Sequence, residues 1–299
     1  MATRSFTAGG LLALLVAASS ASAEVPAAKG AGPPPSWRVI VGPSISLPAF
    51  DTQYSSRYSP PFQYVPHTST ATQAMPLEAG TAPGVLVGVE RALGGHVGLR
   101  LSAHFGEASL SGAPGRYDLS MRYTSLQPPS YEPVEVSLQR SEARPEADGR
   151  LKTLALAFDV VAWTNLGSGG RLGVSAGPAW LRTTGRAESL VYTSYFMGGH
   201  SVAFSEDYLV SFEFPASTLG LDVGGFAEVD LGRHAGLRLD VRYTWGPERN
   251  AEVTLREIVN ADEVIRSADL ADIERGLLPA PVRFDPSLFR AALALTLRF

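Results

Sequence analysis

Three things are scarce in this 299-residue chain: cysteine, long apolar runs and excess basic charge. With no cysteine there can be no disulfide, thiolate metal site or cysteine nucleophile, so the fold rests on backbone hydrogen bonds and packing. Beyond the amino-terminal segment no stretch approaches the ~18 uninterrupted apolar residues of a spanning helix. Lysine and arginine number 25 against 29 aspartates and glutamates, a formal net charge of -4. With a pI near 5.8, that balance gives no footprint for nucleic acid. If such a chain sits in a membrane, it does so as a closed barrel, the other fold that satisfies every backbone group in lipid.

The first residues, MATRSFTAGGLLALLVAASSASA, have the parts of a secretory signal. Arg4 supplies the charge, Leu11 to Ala17 the apolar segment, and Ala21-Ser22-Ala23 an A-x-A site. Residues 1–23 are therefore expected to be removed, with cleavage after Ala23. Residues 24–35, rich in Ala and Pro, are expected to be a flexible lead-in. Residues 36–299 are the expected folded unit.

The last eleven residues, FRAALALTLRF, sort in twos. Phe289, Ala291, Leu293, Leu295, Leu297 and Phe299 share one side, and Arg290, Ala292, Ala294, Thr296 and Arg298 the other. That is a strand with one apolar face. Seven more stretches alternate likewise, with apolar faces on Trp37/Val39/Val41/Ile45, Val85/Val87/Val89, Val97 to Phe105, Leu154 to Ala162, Leu172 to Trp180, Leu219 to Leu231 and Leu237 to Trp245. Each is near the ~9–11 residues of a tilted spanning strand. Tight turns (RALGG, NLGSGG, GRHAG) follow the second, fourth and sixth strands. Long connections near 48–83, 107–149, 182–214 and 247–286 follow the first, third, fifth and seventh. Loops segregated by length in this way are the layout of an outer-membrane barrel.

Aromatic heights agree with that layout. Phe105, Trp180 and Trp245 lie eight or nine residues above a short turn, and Phe289 ten above the terminus, all with outward parity. Nine residues climb about 23 Å at a tilt near 40°, close to the ~25 Å apolar band between aromatic girdles. Trp37 and Phe299 mark the lower girdle. The expected fold is all-β: a closed antiparallel transmembrane barrel of eight strands with one short loop helix. Ten strands are the alternative, because YDLSMRYTSL and YEPVEVSLQ in the second long connection also alternate.

On the A-x-A site, the eight strands and the final strand closing on Phe299, the chain resembles the small outer-membrane β-barrel family of Gram-negative bacteria, the OmpA/OmpX-like and opacity-type proteins. The resemblance implies an outer-membrane location, a monomer, lipid as the surrounding partner, and a terminal strand (Leu295, Leu297, Phe299) read by the barrel-assembly machinery. It departs from that family's pattern in its long loops, and no carboxyl-terminal peptidoglycan-binding domain is expected after the last strand.

The inward faces carry charge: Arg38, Glu90, Arg100, Asp159, Asp222, Glu228, Asp230, Arg238, Asp240, Arg242 and Arg298. Pairing Leu231 with Leu237 across GRHAG sets Asp230 opposite Arg238 and Glu228 opposite Asp240. Glu90 falls opposite His96, and Arg38 shares a level with Arg298. These charges form either a salt-bridged filling, since an eight-stranded barrel is just wide enough for its own side chains, or an ion pathway. Ser102 and His104 raise a lipid-modifying enzyme as a third reading. Both point inward, however, with no carboxylate placed to orient the histidine. His67, His200 and His234 are isolated, and no metal or cofactor is expected.

The Tyr/Ser/Pro-rich stretch DTQYSSRYSPPFQYVPHTST is either loop packing or an adaptable binding surface for an extracellular ligand. In the fourth connection, a helix is expected from Ala261 to Leu277. Asn260 and Glu263 make a capping box, and Asp262–Arg266 is a favourable i, i+4 pair. Asp262 and Glu263 at the start and Arg275 near the end suit the helix dipole. The stripe is Ala261, Val264, Ala268 and Ala271, flanked by Leu270, Ile273 and Leu277.

Overall fold

The computed structural model describes residues 37–60, 67–112, 114–127, 132–143, 146–167, 169–197, 201–257, 267–278 and 281–299. The signal and lead-in, the Asn260–Glu263 capping box, the Asp262–Arg266 pair, Ala261, Val264 and His200 lie outside these residues.

Eight strands close into a ring. They are β1 (Trp37–Pro48), β4 (Ala82–Ala92), β5 (Val97–Ser111), β8 (Asp148–Asn165), β9 (Gly170–Met197), β11 (Ala216–Asp230), β12 (Ala235–Trp245) and β16 (Leu288–Arg298). Each is antiparallel to the next, and β16 returns to β1 through nine residue pairs from Arg38↔Arg298 to Pro48↔Leu288. Closure removes the sheet edges that lipid could not satisfy. The turns at one end are short: Leu93, Leu166 and Leu231 donate their N–H groups to the carbonyls of Val97, Gly170 and Ala235. The β8–β9 turn uses Gly167 at φ +59°, a left-handed conformation that favours glycine.

The outer wall is apolar and exposed over Val41, Ile45, Val85, Val87, Leu101, Phe158, Val160, Leu221, Leu239 and Leu293. A soluble surface rarely leaves so continuous a band uncovered; on a closed barrel it is the lipid-facing belt. The fold is a membrane-spanning β-barrel of eight strands. No helix among the described residues is long and apolar enough to cross a membrane.

The long connections are not irregular loops. They form β2 (Asp51–Tyr58), β3 (His67–Ala79), β6 (Arg116–Gln127), β7 (Glu132–Ala143), β10 (Ser201–Glu213), β14 (Glu252–Glu257), the two-residue pair β13 (Arg249–Asn250) and β15 (Arg283–Phe284), and helix α1 (Ser267–Leu277). Strands β5, β8 and β9 run on past the expected membrane edge to join them. On β5 the change of solvent is visible residue by residue. Outward positions run Val97, Leu99, Leu101, Ala103, Phe105 and then Glu107, Ser109, Ser111. Inward positions run Arg100, Ser102, His104 and then Ala108, Leu110. Parity is unbroken; only polarity swaps, because water replaces lipid outside and a dry core replaces the polar lumen inside.

That dry core is a second hydrophobic centre. Phe50, Tyr54, Met75, Leu77, Leu110, Tyr117, Leu151, Tyr208, Phe212, Phe214 and Phe284 are among its buried members. Phe50, Phe214 and Phe284 stack edge-on or tilted, with centroids 4.8 to 5.5 Å apart. We call this upper storey the cap.

Several expectations are corrected here. Strand β6 pairs with β3 and β7, and β7 with β6, outside the ring, so the barrel has eight strands and not ten. In the Tyr/Ser/Pro-rich stretch, Tyr54 and Tyr58 are buried in the cap core, which fits the packing reading for those two residues. The described part of the helix is Ser267–Leu277, and its buried residues are Ile273 and Leu277, while Ala271 is exposed. The larger side chains direct the helix onto β2 and β10: the Tyr54 hydroxyl of β2 donates to the Leu277 carbonyl at 2.6 Å, and the Tyr208 hydroxyl of β10 donates to Glu274 at 3.2 Å. Arg275 lies in the last turn, paired with Asp272 at 2.7 Å.

Candidate functional site

The lumen of the membrane-spanning part is filled by charge, and all eight ring strands contribute. Short strand-to-strand spacing and strict alternation bring the inward residues of opposite walls within side-chain reach. Glu90 of β4 and Glu228 of β11 anchor the short-turn end. Arg171 of β9 bridges them, at 2.7 Å from Glu90 and 2.8 Å from Glu228. Arg238 lies 3.0 Å from Glu90, Arg298 lies 2.8 Å from Glu228 and also pairs with Asp230, and Arg38 lies 3.7 Å from Glu90. The guanidiniums of Arg171 and Arg238 stand 5.0 and 3.6 Å over the ring of Phe226, and Arg171 is 5.1 Å over Trp163. Glycine at 173 leaves room for that ring, since a Cβ there would lie 2.4 Å from Phe226.

One layer higher, Asp240 takes Arg100 at 2.9 Å and Arg238 at 3.1 Å. Arg100 also reaches Asp159 at 3.4 Å and donates to the Ser175 hydroxyl at 2.6 Å. Higher still, Asp222 gathers Arg290 at 2.9 Å, Arg242 and the Thr244 hydroxyl, while Arg242 also pairs with Asp159. Apart from Asp230, which is about one-third exposed, and Arg38, these groups are all buried. Isolated buried charge is costly, whereas charges paired several ways with hydrogen bonds persist.

All eleven sequence-selected charged residues point into this lumen, with Asp230 at its rim. The expected cross-strand pairing is corrected by two residues at GRHAG, where Glu228 is opposite Arg238 and Asp230 opposite Gly236, and by four at RALGG, where Glu90 is opposite Arg100 rather than His96. The GRHAG turn is tighter than the Leu231–Leu237 pairing allows, because Leu231 already bonds Ala235. His96 turns to the Trp163 carbonyl at 3.2 Å. Two participants had not been singled out as site residues. Arg171 starts β9 beside a glycine-rich turn, and Arg290 was assigned only to the polar face of its strand. Inward parity with Glu228 and Asp222 across the ring was the available signal for both.

Between the charges and the cap lies a thin polar layer. Ser102 and His104 are fully inside it. Neither ring nitrogen of His104 and not the Ser102 hydroxyl has a protein partner among the described residues. No carboxylate orients the histidine, so the two do not assemble a nucleophile and base. His234 contacts the Arg298 carbonyl at 3.4 Å in its turn, and His67 begins β3. The described residues contain no cluster of three or more metal-ligating side chains.

The aromatic residues Trp37, Phe105, Trp245, Phe289 and Phe299 are outward and exposed. Trp180 is outward and half-buried, with its indole N–H donating to Ser217 at 2.7 Å. Leu295 is exposed on the same wall. The backbones of Trp37 and Phe299 exchange hydrogen bonds at 3.1 and 3.5 Å, which seals the ring at its last residue.

Among solved structures, the chain is similar to the outer membrane protein OprG from Pseudomonas aeruginosa, with 11% identity over 90% of this chain and 98% of that one and a TM-score of 0.43. It is also similar to Neisserial surface protein A, with 11% identity over 88% and 97% and a TM-score of 0.33. No family model and no curated protein matches it.

Proposed function

We propose that this chain is an outer-membrane barrel with a closed lumen, acting as a structural or surface-interaction protein through the cap it holds outside the cell. The observation that carries this is the double filling: a charge network fed by all eight strands, with the apolar cap core above it. A lumen packed in this way passes little water. The resemblance to OmpA/OmpX-like and opacity-type barrels supports the location, and the lipid-facing belt supports lipid as the surrounding partner. We read the protein as a monomer whose terminal strand, Leu295, Leu297 and Phe299, is recognised by the assembly machinery. Removing Phe299 should then lower assembly yield in cells with little change in the stability of the folded barrel; equal yields would exclude that role.

No catalytic role is proposed, since Ser102 and His104 face away from lipid and lack an orienting carboxylate. A passive channel is the second reading. It draws on the unpartnered hydroxyls of Ser44, Ser102 and Thr296, polar positions that water would fill. Planar-bilayer recording separates the two. The closed barrel gives no stable open current, whereas a steady conductance on the order of hundreds of picosiemens overturns it. Current that opens only after neutralising Arg238 or Asp230 identifies the network as the plug.

A further inference from the structure

Directly above Trp180 the outer wall becomes basic on one seam. Rising from the Leu156↔Trp180 pair, the β8–β9 ladder reads Leu154↔Arg182, Lys152↔Thr184 and Arg150↔Arg186. All four cations point outward and are exposed. Arg182 stands two residues past the girdle tryptophan, about 5 Å up a strand tilted near 40°. That is the level at which lipid headgroups begin. The outward positions above Phe105 on β5 are Glu107, Ser109 and Ser111, and Ser217 is the one above Leu219 on β11, so neither flanking strand continues the basic run.

The cations nearest the membrane carry the argument. Arg150 and Arg186 are direct cross-strand partners, but each already has a carboxylate in reach, Glu107 at 3.6 Å and Glu188 at 2.6 Å. Lys152 and Arg182, nearest the membrane, form no ion pair among the described residues. The acids on this wall mostly sit higher or to the side. Glu188 is 2.6 Å from Arg186, Glu213 is the β10 partner of Arg186, and Asp148 pairs with Glu188 at the top. Glu107 is the exception: it lies at the level of Lys152 and reaches Arg150 at 3.6 Å. A shallow groove of about 500 Å³ runs along Lys152, Thr184, Arg150 and Arg186, and the paired residues Asp148 and Glu188 line its upper end.

We propose that this seam binds the phosphate of a lipid headgroup of net negative charge, with Arg182 and Lys152 as the principal contacts and Trp180 seated beside the acyl chain below. A free anion in solution would find no such apolar floor. The proposal relies on the outer-membrane reading only for which leaflet supplies the lipid.

The test is native mass spectrometry of the folded full chain in detergent, titrated with dioleoyl phosphatidic acid or dioleoyl phosphatidylcholine. Folding of every variant is checked first by heat-modifiable migration. If each cation near a headgroup adds roughly a factor of five, wild type should prefer phosphatidic acid by about tenfold or more. Lys152→Gln and Arg182→Gln should each reduce that preference, and the double variant should bring it close to one. Glu107→Gln should strengthen it. An undiminished preference in the double variant overturns the proposal, as does equal binding of the two lipids by wild type. Displacement of the lipid by millimolar inorganic phosphate also overturns it, because the site would then be for a free anion. A barrel that folds, inserts and stays closed but shows no lipid preference fails this inference alone.

Discussion

Glu228 and Arg238 are direct partners across the β11–β12 ladder, yet their nearest charged atoms are 3.8 Å apart, while Glu228 lies 2.8 Å from both Arg171 of β9 and Arg298 of β16. Arg171 is the direct partner of Glu228 on the other neighbouring strand, and Arg298 reaches it from beyond β12, so the lumen is tied both between neighbouring strands and across the ring. Losing this carboxylate leaves two guanidiniums each one partner short, Arg171 with Glu90 and Arg298 with Asp230.

Glu228→Gln should therefore destabilise the barrel by about 3–5 kcal/mol, the usual cost of leaving buried charge unpaired. The denaturant midpoint of the reconstituted protein measures it. Glu228→Gln combined with Arg171→Gln should cost less than the sum of the two single changes, since the stranded partner is removed as well. Additive losses would contradict a shared network.

The cap should fail independently of the barrel. Ile273→Ala and Leu277→Ala each empty a fully buried site, at roughly 2–5 kcal/mol. On the proposed reading, in which the charged layer closes the lumen by itself, these variants should become protease-sensitive in the cap while heat-modifiable migration and electrical closure persist. A current appearing in either variant would make α1 the actual gate.

Tyr54 gives the cap a pH limit. Burial pushes its hydroxyl up to about 12. The folded value lies above the ordinary value near 10, so the neutral phenol stabilises the fold fully below about pH 10, and that contribution is lost as pH rises through about 12. Absorbance titration at alkaline pH of wild type minus Tyr54→Phe should show one phenol ionising late. A difference curve centred near 10 would mean the hydroxyl is not buried.

The membrane edge can be located by charge. Leu101→Arg lies inside the belt and should cost about 2–4 kcal/mol of insertion stability. Ser109→Arg, on the same outward parity beyond Phe105, should be nearly silent. Folding yields into lipid vesicles report both, and similar yields would move the belt.

The eight ring strands and the aromatic heights were legible in the sequence because one face of each strand meets lipid, and lipid selects side chains at every second position without exception. The cap was not legible as a unit. Its strands keep the same alternation with the polarity inverted, as Glu107, Ser109 and Ser111 against Ala108 and Leu110 show, and a short two-sided pattern does not say whether its partner is lipid, water or another hairpin. Inward direction of the eleven charges followed from parity alone. Who binds whom did not: the two-residue register at GRHAG was set by a turn geometry, and the bond of Arg171 to Glu90 exists because closure brings β4 and β9 to one narrow lumen. Alternation determined which solvent each face meets; ring closure decided which charges meet each other, since that depends on distances across the barrel that no single strand encodes.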